Sequence, residues 1–167
     1  MPEMADIYAL ANERTERTIR DFLAQFLPSP IEIASEYEIP QYSRTPHTVF
    51  SIASELIRYC CEKQCETHSI YWRSDSVPEN GMAFFLSDGG LVLGVSTQAD
   101  NFARVDFVAA ELGRFLGTEE VIVMYEDLPP ETIDEFHAFF QGLTASPGED
   151  ARCCRAHRPI KASGPTT

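Results

Sequence analysis

Between Thr67 and Thr97 the chain places three strand-length apolar runs, 67–73, 82–86 and 91–97, around two strong turn signals, Pro78-Glu79-Asn80-Gly81 and Asp88-Gly89-Gly90. Asn-Gly and Asp-Gly tolerate positive φ at little cost, so the chain is expected to double back twice. The product is an antiparallel meander, and whatever else the chain does must cover its faces. Period-two alternation puts Ile70 and Trp72 on one face and Ser69, Tyr71 and Arg73 on the other. In the third run Leu91, Leu93 and Val95 oppose Val92, Gly94 and Ser96. The second face is mixed in character, so it is expected to be partly open to solvent or lightly covered.

The flanking segments supply helices. Ile19, Phe22, Leu23, Phe26 and Leu27 recur at helical spacing after Asn12, the expected N-cap, and Pro28 and Pro30 stop the run. Thr45-Pro46 reads as an N-cap followed by proline at the first helical position, opening a helix with Val49, Ile52, Ala53, Leu56, Ile57 and Cys60 inward. A third helix is expected from Asp100 or Asn101, with Phe102, Val105, Val108, Ala109, Leu112 and Leu116 buried and Gly117 as its C-terminal stop. Pro129-Pro130 opens a fourth, carrying Ile133, Phe136, Phe140 and Leu143. Strands are expected at 6–10 and 121–125, and an edge strand or ordered loop at 31–45.

The order β-α-(β)-α-β-β-β-α-β-α implies an α+β fold: the antiparallel meander sits within a mixed sheet, with helices packed mainly on one face. Of 167 residues, 44% are hydrophobic and 11% aromatic, enough to build one core and exclude disorder over most of the chain. Residues 1–145 read as one domain. Residues 146–167, rich in Pro, Gly, Ser, Thr and Arg without periodicity, read as a disordered basic tail.

Charge is uneven. Residues 1–145 hold 24 acids against 9 bases, while the tail has Glu149 and Asp150 against Arg152, Arg155, Arg158 and Lys161. A body this acidic repels phosphate backbones and anionic lipids, which argues against nucleic acid or membrane as partner and toward a basic protein. The densest zone is Glu119, Glu120, Glu126, Asp127, Glu131, Asp134 and Glu135, with no base among them. Glu131 also suits the first turn of the fourth helix. Tyr71, Arg73 and Phe85 on the less buried sheet face form a second candidate surface, since aromatics and Arg dominate interfaces.

No catalytic signature is present. The glycines match neither a dinucleotide nor a phosphate-loop pattern, and neither a nucleophile elbow nor a zinc-protease helix occurs. Cys61, Cys65 and His68, with Cys154 and His157 from the tail, are the ligand types a structural zinc requires. Buried thiols acting as small hydrophobes explain Cys60 and Cys61 without a metal, so no metal or cofactor is expected. A Cys65–His68 nucleophile is disfavoured because acidic surroundings keep a thiol protonated. His47 and His137 read as packing or surface residues.

Five cysteines, four in adjacent pairs, and no apolar leader at the N-terminus point to reduced thiols in the cytoplasm. Small acidic α+β domains without catalytic motifs are the type found among bacterial immunity proteins, a resemblance of type rather than of motif. The expected function is therefore non-enzymatic docking of a basic protein partner. A small enzyme with a scattered carboxylate/His site and a homo-oligomer of structural role are the alternatives. Oligomeric state is left open.

Overall fold

A computed structural model describes residues 3–145 and 154–157. The meander forms as expected from β5 (His68–Ser74), β6 (Asn80–Phe85) and β7 (Leu91–Gln98). It extends into a seven-stranded sheet of order β2-β5-β6-β7-β1-β8-β9, with β1 at Met4–Leu10, β2 at Pro30–Glu32, β8 at Val121–Tyr125 and β9 at Cys154–His157. Every described ladder is antiparallel, so the sheet is not of mixed direction. β1 lies inside the sheet because both its faces are apolar: Ile7 meets Val95 and Val123, and Tyr8 meets Gly94 and Ile122. An added Cβ on Gly94 would stand 2.7 Å from the Tyr8 ring, so only glycine fits beneath it.

Three helices cover one face: α1 (Glu16–Phe26), α2 (Ala53–Glu62) and α3 (Phe102–Leu116). They enclose Ile7, Phe22, Leu56, Leu93, Val105 and Val123 in the larger core. The fourth, α4 (Ile133–Ala145), covers the second face, where Tyr8, Phe84, Val92 and Ile122 pack around Phe136. Helices thus lie mainly on one face, and among the described residues one helix covers the mixed second face.

Several local expectations give way to tertiary contacts. Thr15, not Asn12, caps α1, its hydroxyl accepting from Thr18 N at 3.1 Å. Asn12 instead donates to Leu116 O at 3.0 Å and ties the β1–α1 connection to the end of α3. Thr45-Pro46 opens no helix. Thr48–Phe50 becomes β4, paired with β3 (Tyr37–Ile39) in a separate two-stranded flap, which suits its β-branched and aromatic residues. α2 therefore starts at Ala53, whose amide donates 2.9 Å to the distant Glu32 carboxylate. Val49 and Ile52 are left exposed, as is Phe102 in the outward first turn of α3.

The four residues of β9 belong to the sheet rather than to a structureless tail, pairing from Val121↔His157 to Met124↔Cys154. The rest of 146–167 lies outside the described residues.

Arg14 fastens the molecule internally. Its guanidinium donates to the carbonyls of Cys60 (3.0 Å), Leu86 (2.7 Å), Gly90 (3.3 Å), Lys63 (3.2 Å) and Glu66 (2.7 Å). It also lies 5.0 Å over the Phe85 ring.

Candidate partner-binding trough

Where α4 leaves the second sheet face uncovered, two hollows of about 140 and 420 Å³ adjoin, sharing Gln41, Tyr42, His68, Ser69 and Tyr71. One wall is the tip of the β3–β4 flap. Gln41 holds it down through Ser69, accepting from its amide at 2.9 Å and donating to its hydroxyl at 3.0 Å. Tyr42, the next residue, adopts φ 61° and is 80% exposed. A non-glycine residue in the left-handed region carries strain of about 1 kcal/mol, and here it presents an aromatic ring to solvent.

The floor is aromatic. Tyr71 and Tyr8 each meet Phe84 edge-on, at 5.8 and 5.7 Å between centroids. The opposite wall is the β8–α4 loop with Leu128, Pro129, Pro130 and Glu131. Tyr8 fixes that loop by donating 2.9 Å to Asp127 O, and Asp88 fixes its far end by accepting from Ile133 N at 2.7 Å.

The charged side chains lining the trough are Glu36, Glu38 and Glu131; neither Lys nor Arg lines it. The seven acids expected as one surface divide between the ends of β8. Glu126 and Asp127 follow the strand without lining the trough, Glu131 lines it, and Asp134 and Glu135 are exposed in the first turn of α4. Among the described residues none of these five is in a salt bridge. Glu119 and Glu120 precede β8 and line another cleft.

Of the second candidate surface, only Tyr71 keeps its expected place. Arg73 pairs with Asp75 at 2.5 Å and does not line the trough. Phe85 stands opposite His68 in the ladder, and its ring belongs to the larger core beneath Arg14; Phe84 takes the place assigned to it. The error is one of parity, because a slip of one residue exchanges the faces of a strand. Tyr42, Gln41 and Leu128 were missed. Leu128 carries a signal, a lone apolar residue in an acidic run, whereas Tyr42 lies in the 31–45 segment, read as an edge strand or ordered loop, where nothing local marks it.

The zinc and thiol constellations do not assemble. Both ring nitrogens of His68 lie against backbone carbonyls, Nδ1 2.9 Å from Ser69 O and Nε2 3.1 Å from Glu38 O, leaving neither for Cys65 or a metal. Burial pushes the Cys60 thiol up to about 12 and raises Cys61 as well, so neither is a ready nucleophile. Among the described residues, no three of His, Cys, Asp and Glu gather as a metal site.

The other cleft, about 690 Å³, is lined by Asn12, Thr118, Glu119, Glu120, His137 and His157 among others. His137 Nδ1 lies 2.5 Å from Glu120 Oε2, and burial lowers the pKa of His157. A carboxylate-held imidazole is a general-base geometry. Among the described residues no Ser or Cys lines the cleft, and the Thr118 hydroxyl accepts from Glu120 N.

Comparison with protein-family models, characterised proteins and solved structures returns no match.

Proposed function

We propose that this chain is a non-enzymatic, inhibitor- or immunity-type domain that docks a basic protein partner in the trough between the β3–β4 flap and the β8–α4 loop. One observation carries the reading. Of seven large apolar side chains exposed among the described residues, Ile33, Tyr42 and Leu128 border this single trough, whose charged lining is acidic only. Exposed aromatic and aliphatic anchors around a pocket are what a binding hot spot is made of. Carboxylates at the rim steer a cationic surface and repel anionic ones, adding mainly to association rate and selectivity. A hollow of 420 Å³ takes one or two partner side chains, with Arg or Lys best matched to the rim.

The same field disfavours nucleic acid and anionic membrane as partners, and no helix among the described residues is long and apolar enough to cross a membrane. Cys60, Cys61 and Cys65 are free thiols, in keeping with a cytoplasmic setting. A small enzyme is the second reading, favoured by the Glu120–His137 pair in its cleft.

The test is capture by the immobilised chain at low and at high salt, with retained proteins identified by mass and isoelectric point. The native chain is expected to retain a basic protein. Tyr42→Ala, Leu128→Asp and Glu131→Lys are each expected to weaken retention by about tenfold, the scale of one hot-spot side chain. Phe102→Ser, exposed elsewhere, should change nothing. Retention indifferent to the trough substitutions overturns the proposal; retention lost only in His137→Gln moves the site to the Glu120 cleft.

A further inference from the structure

We propose that the outer edge of β8 is a second peptide-binding surface, held in this chain by its own β9 as a stand-in, and that an extended cationic segment of a partner protein adds there in β9's place. The inference does not rest on the trough. In the strand order β8 and β9 lie at the opposite end of the sheet from β5, and the recognition is of backbone rather than of aromatic hollows.

β8 (Val-Ile-Val-Met-Tyr) carries no charge, and β1 holds one of its edges through pairs from Ala5↔Tyr125 to Ala9↔Val121. Left bare, the other edge of such a run is a template for any extended chain. The protein fills it with Cys154-Arg155-Ala156-His157, paired from Val121↔His157 to Met124↔Cys154. Residues directly across a ladder share a face. Arg155 and His157 therefore stand with Val123 and Val121 on the α3 side, and Cys154 and Ala156 with Met124 and Ile122 on the α4 side. There Phe139, Phe140 and Leu143 pack against the same cluster, so small side chains are what fits. On the α3 side Arg155 donates to Asp106 of that helix, Nη2 to Oδ1 at 2.7 Å. Acids also flank β8, Glu119 and Glu120 before it and Glu126 and Asp127 after it. The edge thus selects an extended segment in which small residues alternate with cationic ones.

β9 is a loose occupant. All four of its residues are only half-buried. The side chains of its ion pair, Arg155 and Asp106, are 36% and 52% exposed, and pairs in that setting hold little. His157 buries its Nε2 with no partner among the described residues, which works against the strand. Beside it opens the cleft lined by Glu119 and Glu120. A lysine in that place orphans no ring nitrogen and reaches those carboxylates. An occupant tethered in the same chain faces its edge at an effective concentration of about millimolar, so a free segment displaces β9 by fitting better or where β9 is weakened.

Amide exchange of the full chain, followed by NMR near neutral pH, reads the edge directly. The β8 amides bonded to β9 should exchange about tenfold faster or more than those bonded to β1, because a four-residue strand opens without the rest of the sheet. Arg155→Glu sets two like charges together. It should speed the first set by about fivefold more, the scale of one surface ion pair, and leave the second set unchanged. The probe is the peptide Arg-Ser-Ser-Arg-Ala-Lys-Arg, the sequence of residues 152–158 with serine for each cysteine and lysine for the histidine. At saturation it should slow the first set about tenfold in Arg155→Glu, and it should bind the native chain about fivefold more weakly than the variant. The same peptide methylated on the amides of its central Arg-Ala pair keeps its charge but loses a ladder donor, and should have no effect.

Equal exchange on the two sides of β8, no change in Arg155→Glu, or a methylated peptide as effective as its parent overturns the proposal. So does protection that rises with chain concentration when no peptide is present, which assigns the edge to the β9 of a second copy. A peptide effect abolished by Tyr42→Ala moves the peptide to the trough and overturns it too. An intact β8 response in Tyr42→Ala upholds the edge even where capture at the trough has failed.

Discussion

At the scale of single residues, Arg14 is the side chain whose role departs furthest from its setting in sequence. It lies in the run Asn12-Glu13-Arg14-Thr15-Glu16-Arg17, which reads as solvated. Its guanidinium is nevertheless buried and bonds five carbonyls at the end of α2 and around the β6–β7 turn. These include acceptors that a helix end leaves without partners. A planar fork with five N–H groups can reach them all, whereas an ammonium cannot. Arg14→Met is expected to destabilise the protein by about 3 kcal/mol or more, because buried carbonyls lose their donors. Arg14→Lys should recover less than half of that. Urea unfolding measures both, and a loss below about 1 kcal/mol for Arg14→Met would show that water satisfies these carbonyls equally well. Burial of this kind has no local periodicity, so nothing adjacent to Arg14 announces it.

Among the elements, α2 shows how a good local signal loses to a distant one. Thr45-Pro46 is a sound helix start, yet 48–50 pairs with 37–39 and the helix begins at Ala53. Ile52 has no capping oxygen, and the Glu32 carboxylate replaces it across 21 residues while also accepting from Tyr37 Oη at 2.9 Å. Glu32 thus joins β2, the flap and α2 through one group. Glu32→Ala should lower stability by about 1–2 kcal/mol, the usual cost of a lost cap. Glu32→Gln, which keeps an acceptor, should cost less than half as much. Equal losses in the two variants, read by urea unfolding, would assign the effect to charge rather than to capping.

On the scale of the whole molecule, a net charge of −13 acts on both stability and association. Like charges repel in the compact state, and salt relieves that repulsion. The thermal midpoint is therefore expected to rise by a few degrees between low and moderate salt, while binding of a basic partner weakens over the same range. Scanning calorimetry over a salt series checks the first expectation; a falling midpoint would mean that favourable ion pairs outweigh the repulsion. The trough itself arises at this scale. Three helices cover one face of the sheet and α4 only part of the other, so aromatic side chains of β5 and β6 are left between a flap and a loop.

The meander, the four helical stripes and the acidic balance were legible along the chain because each rests on contacts between neighbours in sequence: turn residues, period-two or period-3.6 alternation, and simple composition. The Glu32 cap, the carbonyl ring around Arg14, the face taken by Phe84 in place of Phe85, and the meeting of Tyr42, Tyr71 and Leu128 were decided in three dimensions. Each depends on which segments lie side by side after the sheet has assembled in the order β2-β5-β6-β7-β1-β8-β9, and residues 21 to 119 apart in sequence then become hydrogen-bond partners.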